Sequence, residues 1–229
     1  MSDPQPTDAQ VPFGSDDFAM NPEPRCPCLL LLDVSGSMQG EPIQQLNEGL
    51  VQFKDELFAD QLAQKRVEIA LITFGGTVNV LSEFQNPANF QPPNLEASGN
   101  TPMGEAITKG LELLKKRKET YKTNGVSYYR PWVFLMTDGG PTDNWTEARD
   151  QVHVGEEKKS FAFFAVGVGE ANIDILKQLA TREPLKLKGL AFRKLFVWLS
   201  SSMKAVSSST LGDEVKLQTP TGPTGWATV

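Results

Sequence analysis

Two rhythms of apolar residues alternate along this 229-residue chain. The first is a set of short unbroken apolar runs: CLLLLD (28–33), VEIALITFG (67–75), WVFLMTD (132–138) and FAFFAVGVG (161–169). Runs without polar alternation suit strands covered on both faces, as in a parallel sheet. The second rhythm has apolar residues three and four apart. Ile43, Leu46, Leu50, Phe53 and Leu57 form one such stripe, and Met103, Ile107, Leu111 and Leu114 another. Trp145, Ala148 and Val152 make a third, and Phe192, Leu195, Leu199, Met203 and Val206 a fourth. Each stripe predicts a helix with one face on the sheet. TVNVLSEF (77–84) follows the second run after a glycine pair, too short a link for a crossover, so it reads as an antiparallel hairpin partner at the sheet edge. PLKLK (184–188) is a weaker last strand. The expected fold is α/β: a doubly wound, mainly parallel six-stranded sheet with one antiparallel edge strand and helices on both faces. Residues 1–25, rich in proline and aspartate, read as a flexible arm, 26–207 as the folded domain, and 208–229 as a Gly/Pro/Thr-rich tail. In that tail Leu217 and Trp226 are lone apolar anchors in an otherwise loose segment.

Composition narrows the function classes. The net charge of −6 lacks the basic surface that displaces phosphate counterions, which argues against nucleic acid. The apolar runs are too short to span a bilayer, and the N-terminus has no basic region followed by an apolar stretch. A cytosolic protein is expected. Its two cysteines, Cys26 and Cys28, stand too close to bridge comfortably and fit a reducing compartment. Cys-Pro-Cys as a metal site lacks further ligands, since the single histidine, His153, is remote and sits in a charged helical stretch.

Three loops carry the candidate chemistry. DVSGSM supplies Asp33, Ser35 and Ser37; ASGNTPMGEA (97–106) supplies Thr101; MTDGGPTD (136–143) supplies Asp138. All three belong on the rim at the carboxyl ends of the strands, where ligands of such sheets bind. Together they offer two carboxylates and three hydroxyls, with no imidazole or thiolate. Oxygen-only ligation suits a hard divalent cation. Gly36 is expected to let the chain curl so that both serines face one centre, with Gly139 and Gly140 giving a sharp exit. Thr101 also has a plain reading as the cap of the helix that Pro102 would open.

D-x-S-x-S after an apolar strand, then a Thr opening a helix, then a strand ending in T-D-G, resembles the metal-ion-dependent adhesion site of von Willebrand factor type A domains. All five matching positions are present: Asp33, Ser35, Ser37, Thr101 and Asp138. The resemblance covers about residues 26–206. CPCLLLLDVSGSM, SGNTPMGEA, TDGGPTD and PLKLKGLAFRKLFVWLS look closer still to the bacterial intracellular branch associated with tellurium resistance and stress response. The resemblance implies that Ser35 and Ser37 touch the ion directly, Thr101 directly or through water, and the two aspartates largely through waters. Magnesium is the implied ion, with calcium or manganese as substitutes. Neutral hydroxyls leave much of the ion's charge unquenched, so it attracts an Asp or Glu carboxylate from a protein partner. Met38, Gln39, Asn100, Met103, Asp143 and Trp145 are the expected partner contacts around it. By analogy with adhesion relatives, the last helix (190–206) shifts with ion state.

Other classes fit less well. A phosphoryl-transfer enzyme with Asp33 as nucleophile would need an acid–base carboxylate where Ser35 stands. A serine hydrolase lacks G-x-S-x-G and a placed histidine, and no nucleotide P-loop is present. A scaffold whose metal motif is vestigial conflicts with five intact positions. The basic run KKRKETYK (115–122) reads as a solvated helix end, which lysines suit. The expectation is a non-catalytic, metal-dependent interaction module.

Overall fold

The computed structural model describes Phe18, residues 21–221 and residues 225–228. The elements run β1 (Cys26–Asp33), α1 (Glu41–Phe58), α2 (Gln61–Arg66), β2 (Val67–Gly75), β3 (Thr77–Gln85), α3 (Met103–Thr123), β4 (Trp132–Thr137), α4 (Thr146–Glu157), β5 (Ala162–Gly167), α5 (Ile173–Leu179), β6 (Leu185–Leu187), α6 (Phe192–Ser208) and β7 (Ala227–Thr228). The strands form one sheet in the order β3-β2-β1-β4-β5-β6-β7. β2, β1, β4, β5 and β6 are parallel, and β3 lies antiparallel at one edge. All six expected strands are present. The seventh, antiparallel to β6, comes from the tail.

The unbroken apolar runs fold as their pattern requires. Every residue of β1 is buried, and alternate side chains feed opposite layers. Cys28, Leu30 and Leu32 pack beneath α1 and α6, with Leu46, Phe53, Phe192, Phe196 and Leu199. Leu29 and Leu31 pack beneath α3, α4 and α5, with Met103, Ile107, Val152 and Leu176. Each fully buried leucine contributes about 1.5–3 kcal/mol relative to an exposed one, so β1 is the anchor from which the rim loops project. β1 pairs with β2 on one side and β4 on the other, with Leu32 beside Met136. The chain order therefore reverses between β1 and β4, which places a crevice above their carboxyl ends.

The ends of the chain bind to the domain more than composition implied. The expected arm lies outside the described residues apart from Phe18 and 21–25. Phe18 is buried edge-on against Tyr121, with the Arg25 and Arg117 guanidiniums over its ring. Beneath it, Glu68 accepts from Arg25, Arg117 and Tyr121. So the basic run is a solvated helix end only in part. In the tail, Trp226 is buried with its ring 5.6 Å from that of Trp198 on α6. Trp198 Nε1 donates to the Gln218 carbonyl (2.7 Å), and Leu217 is half-buried against the core. The tail is thus a strap across α6. Cys26 and Cys28 are free and buried, and burial pushes both thiols well up. Among the described residues no helix is long and apolar enough to cross a membrane.

Candidate metal centre

At the end of β1 the backbone turns sharply and Asp33 folds back over it. Asp33 is fully buried, and both its carboxylate oxygens are engaged. Oδ1 accepts from the Ser35 N–H (2.8 Å) and Oδ2 from the Thr137 hydroxyl (2.5 Å) at the end of β4. Burial raises the carboxyl's pKa, against the hydrogen bonds from Ser35 and Thr137, which lower it. From Asp33 the polar atoms run outward in a chain. Ser35 Oγ lies 3.1 Å from Ser37 Oγ, and Ser37 Oγ donates to Asp138 Oδ1 at 2.7 Å. Four of the five expected residues therefore touch in sequence. Ser35 is buried and Ser37 exposed, so the chain leads from the core to the surface.

The fifth, Thr101, comes from the long loop after β3. That loop is pinned to the β1 loop by two backbone bonds, Ser98 N–H to the Val34 carbonyl (2.7 Å) and Gly36 N–H to the Gly99 carbonyl (2.9 Å). Gly99 has φ +74°, and a β-carbon there would stand 2.5 Å from the Gly76 α-carbon. Only glycine allows this approach of two loops. Gly36, by contrast, keeps an ordinary φ, as do Gly139 and Gly140; the left-handed glycines beside the site are Gly40, Gly76 and Gly99. The expected curl thus arises from the short 3-10 turn over Gly36–Met38 and from the neighbouring loop.

Thr101 is not the cap of α3. The helix begins at Met103 after Pro102, without a capping side chain from its own flank. Asp143, from the loop after β4, does the capping: Oδ1 accepts from Gly104 N–H (3.0 Å) and Oδ2 from Glu105 N–H (2.8 Å). A carboxylate suits the positive end of the helix. The loop reaches there because residue 104 is glycine; a β-carbon would lie 2.7 Å from the Asn144 carbonyl oxygen. Thr101 is further held by its backbone, with N–H donating to Thr142 Oγ1 (3.1 Å) and its carbonyl accepting from Thr142 N–H (2.9 Å). Its hydroxyl takes no hydrogen bond among the described residues and faces Gly139, 3.8 Å from where a β-carbon would stand. The Thr101 hydroxyl is therefore left free on the rim that carries Asp138.

The donor set fits a hard cation. It comprises three hydroxyls and two carboxylates on one rim, with no cluster of three or more His, Cys, Asp or Glu among the described residues. The expected partner contacts fare unevenly. Gln39 and Asn100 are exposed and Trp145 is half-buried. Met38 and Met103 are instead buried in the two core layers, so neither can meet a partner. Asp143 is committed to its helix. The residues that sequence reasoning left out are Thr137 and Thr142, which hold Asp33 and Thr101. The signal for Thr137 was there: it is the only polar residue of the run WVFLMT.

Comparison with known proteins places the fold. The von Willebrand factor type A domain family matches residues 29–194. Inter-alpha-trypsin inhibitor heavy chain H4 of Sus scrofa is 27% identical over 175 residues, covering 72% of this chain and 18% of its own length. The Homo sapiens H4 chain is 28% identical over 165 residues, covering 66% of this chain and 17% of its own length. The chain thus matches less than a fifth of these curated relatives. Among solved structures, the vWF domain of the type V pili tip protein Mfa5 from Porphyromonas gingivalis has TM-score 0.60 at 12% identity, covering 85% of this chain and 99% of that one. The pilus adhesin SpaC from Lactobacillus rhamnosus GG gives 0.62 at 13%, covering 80% and 30%. Proximal thread matrix protein 1 from the mussel byssus, with a zinc-occupied MIDAS motif, gives 0.53 at 17%, covering 80% and 48%. At these identities the structural likeness speaks for the fold.

Proposed function

Because the chain belongs to the von Willebrand factor type A domain family, we propose that its rim holds a divalent cation which recruits an acidic side chain of a protein partner. Ser35, Ser37 and Thr101 would hold the ion through hydroxyls, with Asp33 and Asp138 orienting them and their waters. The observation that carries this is the contact chain from buried Asp33 through Ser35 and Ser37 to Asp138 at the reversal point of the sheet. A hydroxyl-rich shell neutralises the ion poorly, so a foreign carboxylate completes it; a cage of carboxylates would bind the ion and repel that partner. Magnesium, which keeps waters and shares its shell, suits such a site, and calcium or manganese can replace it in vitro.

The reading is non-enzymatic. Asp33 has no free oxygen and no exposed surface from which to attack a phosphoryl group, and this disfavours the phosphoryl-transfer alternative. For a cytosolic role in a bacterial stress-response system of the tellurium-resistance kind, the support is the motif wording quoted above. Calorimetry with MgCl₂ tests the site: Ser35→Ala/Ser37→Ala should lose ion binding and chelator-sensitive capture of a partner while keeping the far-UV spectrum. Capture equally strong with chelator present overturns the reading.

A further inference from the structure

The two ends of the sheet differ in charge. The loops at the carboxyl ends of β1, β4 and β5 (34–40, 138–145 and 168–172) contain no lysine or arginine, nor does the stretch 95–102 that reaches the same rim. Acids gather there instead. Glu41, Glu105, Glu147 and Asp174 stand in the first turns of α1, α3, α4 and α5, and Glu96 and Glu170 are exposed in the loops themselves. The first four have a local cause. In a parallel α/β sheet the helices that cross over start at this rim, and acids suit their positive ends. Glu96 and Glu170 lie in no helix. Whatever places each acid, their fields add. At the opposite end, around the starts of the strands, Lys65, Lys115, Lys116, Lys122, Lys158 and Lys159 are all exposed.

The ion held by Ser35, Ser37 and Thr101 would therefore be a positive centre bordered by acids, while the bases of that end stand to the flanks: Lys109, whose ammonium bonds the Val78 carbonyl at the β3 edge, and Lys186 and Lys188 at the end of β6. An ordinary acidic surface would be attracted by the ion and repelled by the acids that border it. We infer that the partner presents its carboxylate from a basic surface: an isolated Asp or Glu flanked by lysines or arginines, the acid to the ion and the bases to Glu96, Glu105 and Glu170. This rests on the ion-site reading above and adds the chemistry of the partner. Complementary charge of this kind acts mainly on encounter and selectivity, and it weakens as salt shortens the reach of exposed charges to a few ångströms.

Three synthetic dodecapeptides test it against the full chain in MgCl₂ by fluorescence anisotropy: one aspartate flanked by lysines, one aspartate flanked by serines, and the lysine peptide with asparagine for aspartate. At about 50 mM NaCl the lysine-flanked acid should bind roughly tenfold tighter than the serine-flanked one, with the ratio shrinking severalfold at about 500 mM. Chelator and the asparagine change should each abolish most of that binding. Glu96→Gln/Glu105→Gln/Glu170→Gln should erase the preference for lysine flanks and leave magnesium affinity within about twofold, since none of the three belongs to the site. Equal binding of the two aspartate peptides, both lost on chelation, overturns the inference and leaves the ion site standing. Binding of the lysine peptides that ignores chelator and the asparagine change overturns the ion-site reading, and the inference with it.

Discussion

Thr101 and Asp143 exchange the roles their positions suggest. A threonine two residues before a helix reads as its cap, and an aspartate on the rim reads as an outward contact. In the folded chain Asp143 caps α3 from another loop, and the Thr101 hydroxyl is left over. Two substitutions separate the roles. Thr101→Ala removes a buried methyl as well as the unbonded hydroxyl, so it should cost about 1 kcal/mol and lower magnesium affinity in calorimetry. Asp143→Ala should cost about 0.5–2 kcal/mol in denaturant unfolding, the range for a lost helix cap, and leave magnesium affinity largely unchanged. Normal magnesium binding by Thr101→Ala would reverse the assignment. Asp33 gives a pH test. Its folded pKa is raised by burial, so in the ion-free protein its contribution favours folding below the ordinary carboxylate value and is lost as pH rises through the raised one. In chelator, Asp33→Asn should therefore gain stability relative to wild type as pH rises from about 4. With magnesium, which favours the carboxylate, that gain should vanish. The neighbourhood of Asp33, Ser35, Ser37 and Asp138 was legible in the sequence because these residues sit where apolar runs stop, whereas Thr101 was marked only by the helix start at Pro102. The burial of Met38 and Met103 was not. Both lie beside the motif in sequence, and only the packing of the turn and of α3 onto the sheet turns them inward.

At the scale of elements, legibility followed burial on two faces. β2 matches its apolar run at both ends because every position but the last is buried. The short helices α2 and α5 escaped because six or seven residues hold too few turns to show a stripe. β7 escaped because a two-residue strand has no period at all; only Trp226, an anchor in a polar tail, pointed to it. The strap it forms joins β6 to α6 through the Trp226 carbonyl, which accepts from Lys188 N–H (2.9 Å), and through the Trp198–Gln218 bond. Trp198 in turn lies 6.4 Å from Trp132, at the start of the strand that ends beside Asp138. A buried tryptophan replaced by alanine costs about 3–5 kcal/mol where the surroundings cannot relax. A terminal strap can open locally, so the global cost of Trp226→Ala is capped by the strap's own opening free energy. The expected result is faster proteolytic cleavage within 210–221 and a shift in tryptophan emission, with a thermal midpoint lowered by only a few degrees. Cleavage at the wild-type rate would mean that the strap is not held by this ring.

At the scale of the whole molecule, the proposed ion binding would form one equilibrium with folding. The five site residues come from three loops separated by about a hundred residues of sequence, from Asp33 to Asp138, and only the assembled sheet brings them together. The unfolded chain cannot reproduce that constellation, so an ion bound to the rim must raise the free energy of unfolding. At a magnesium concentration about 100 times its dissociation constant the gain is about 2.7 kcal/mol. For a chain of this size each kcal/mol moves the thermal midpoint by about 2–4 °C, which gives a rise of roughly 5–10 °C. Calorimetric scans across a magnesium series should show the midpoint climbing with the logarithm of concentration once the site is filled. Ser35→Ala/Ser37→Ala should flatten that climb, because the hydroxyls that distinguish the folded rim from the unfolded chain are gone. Exposed acids elsewhere give a further control. Their weak, diffuse attraction for magnesium is mimicked by an equal ionic strength of sodium, whereas coordination at the rim is not. If sodium reproduces the rise, or the double variant keeps it, the stabilisation comes from general screening of a negative surface, and the rim holds no ion of its own.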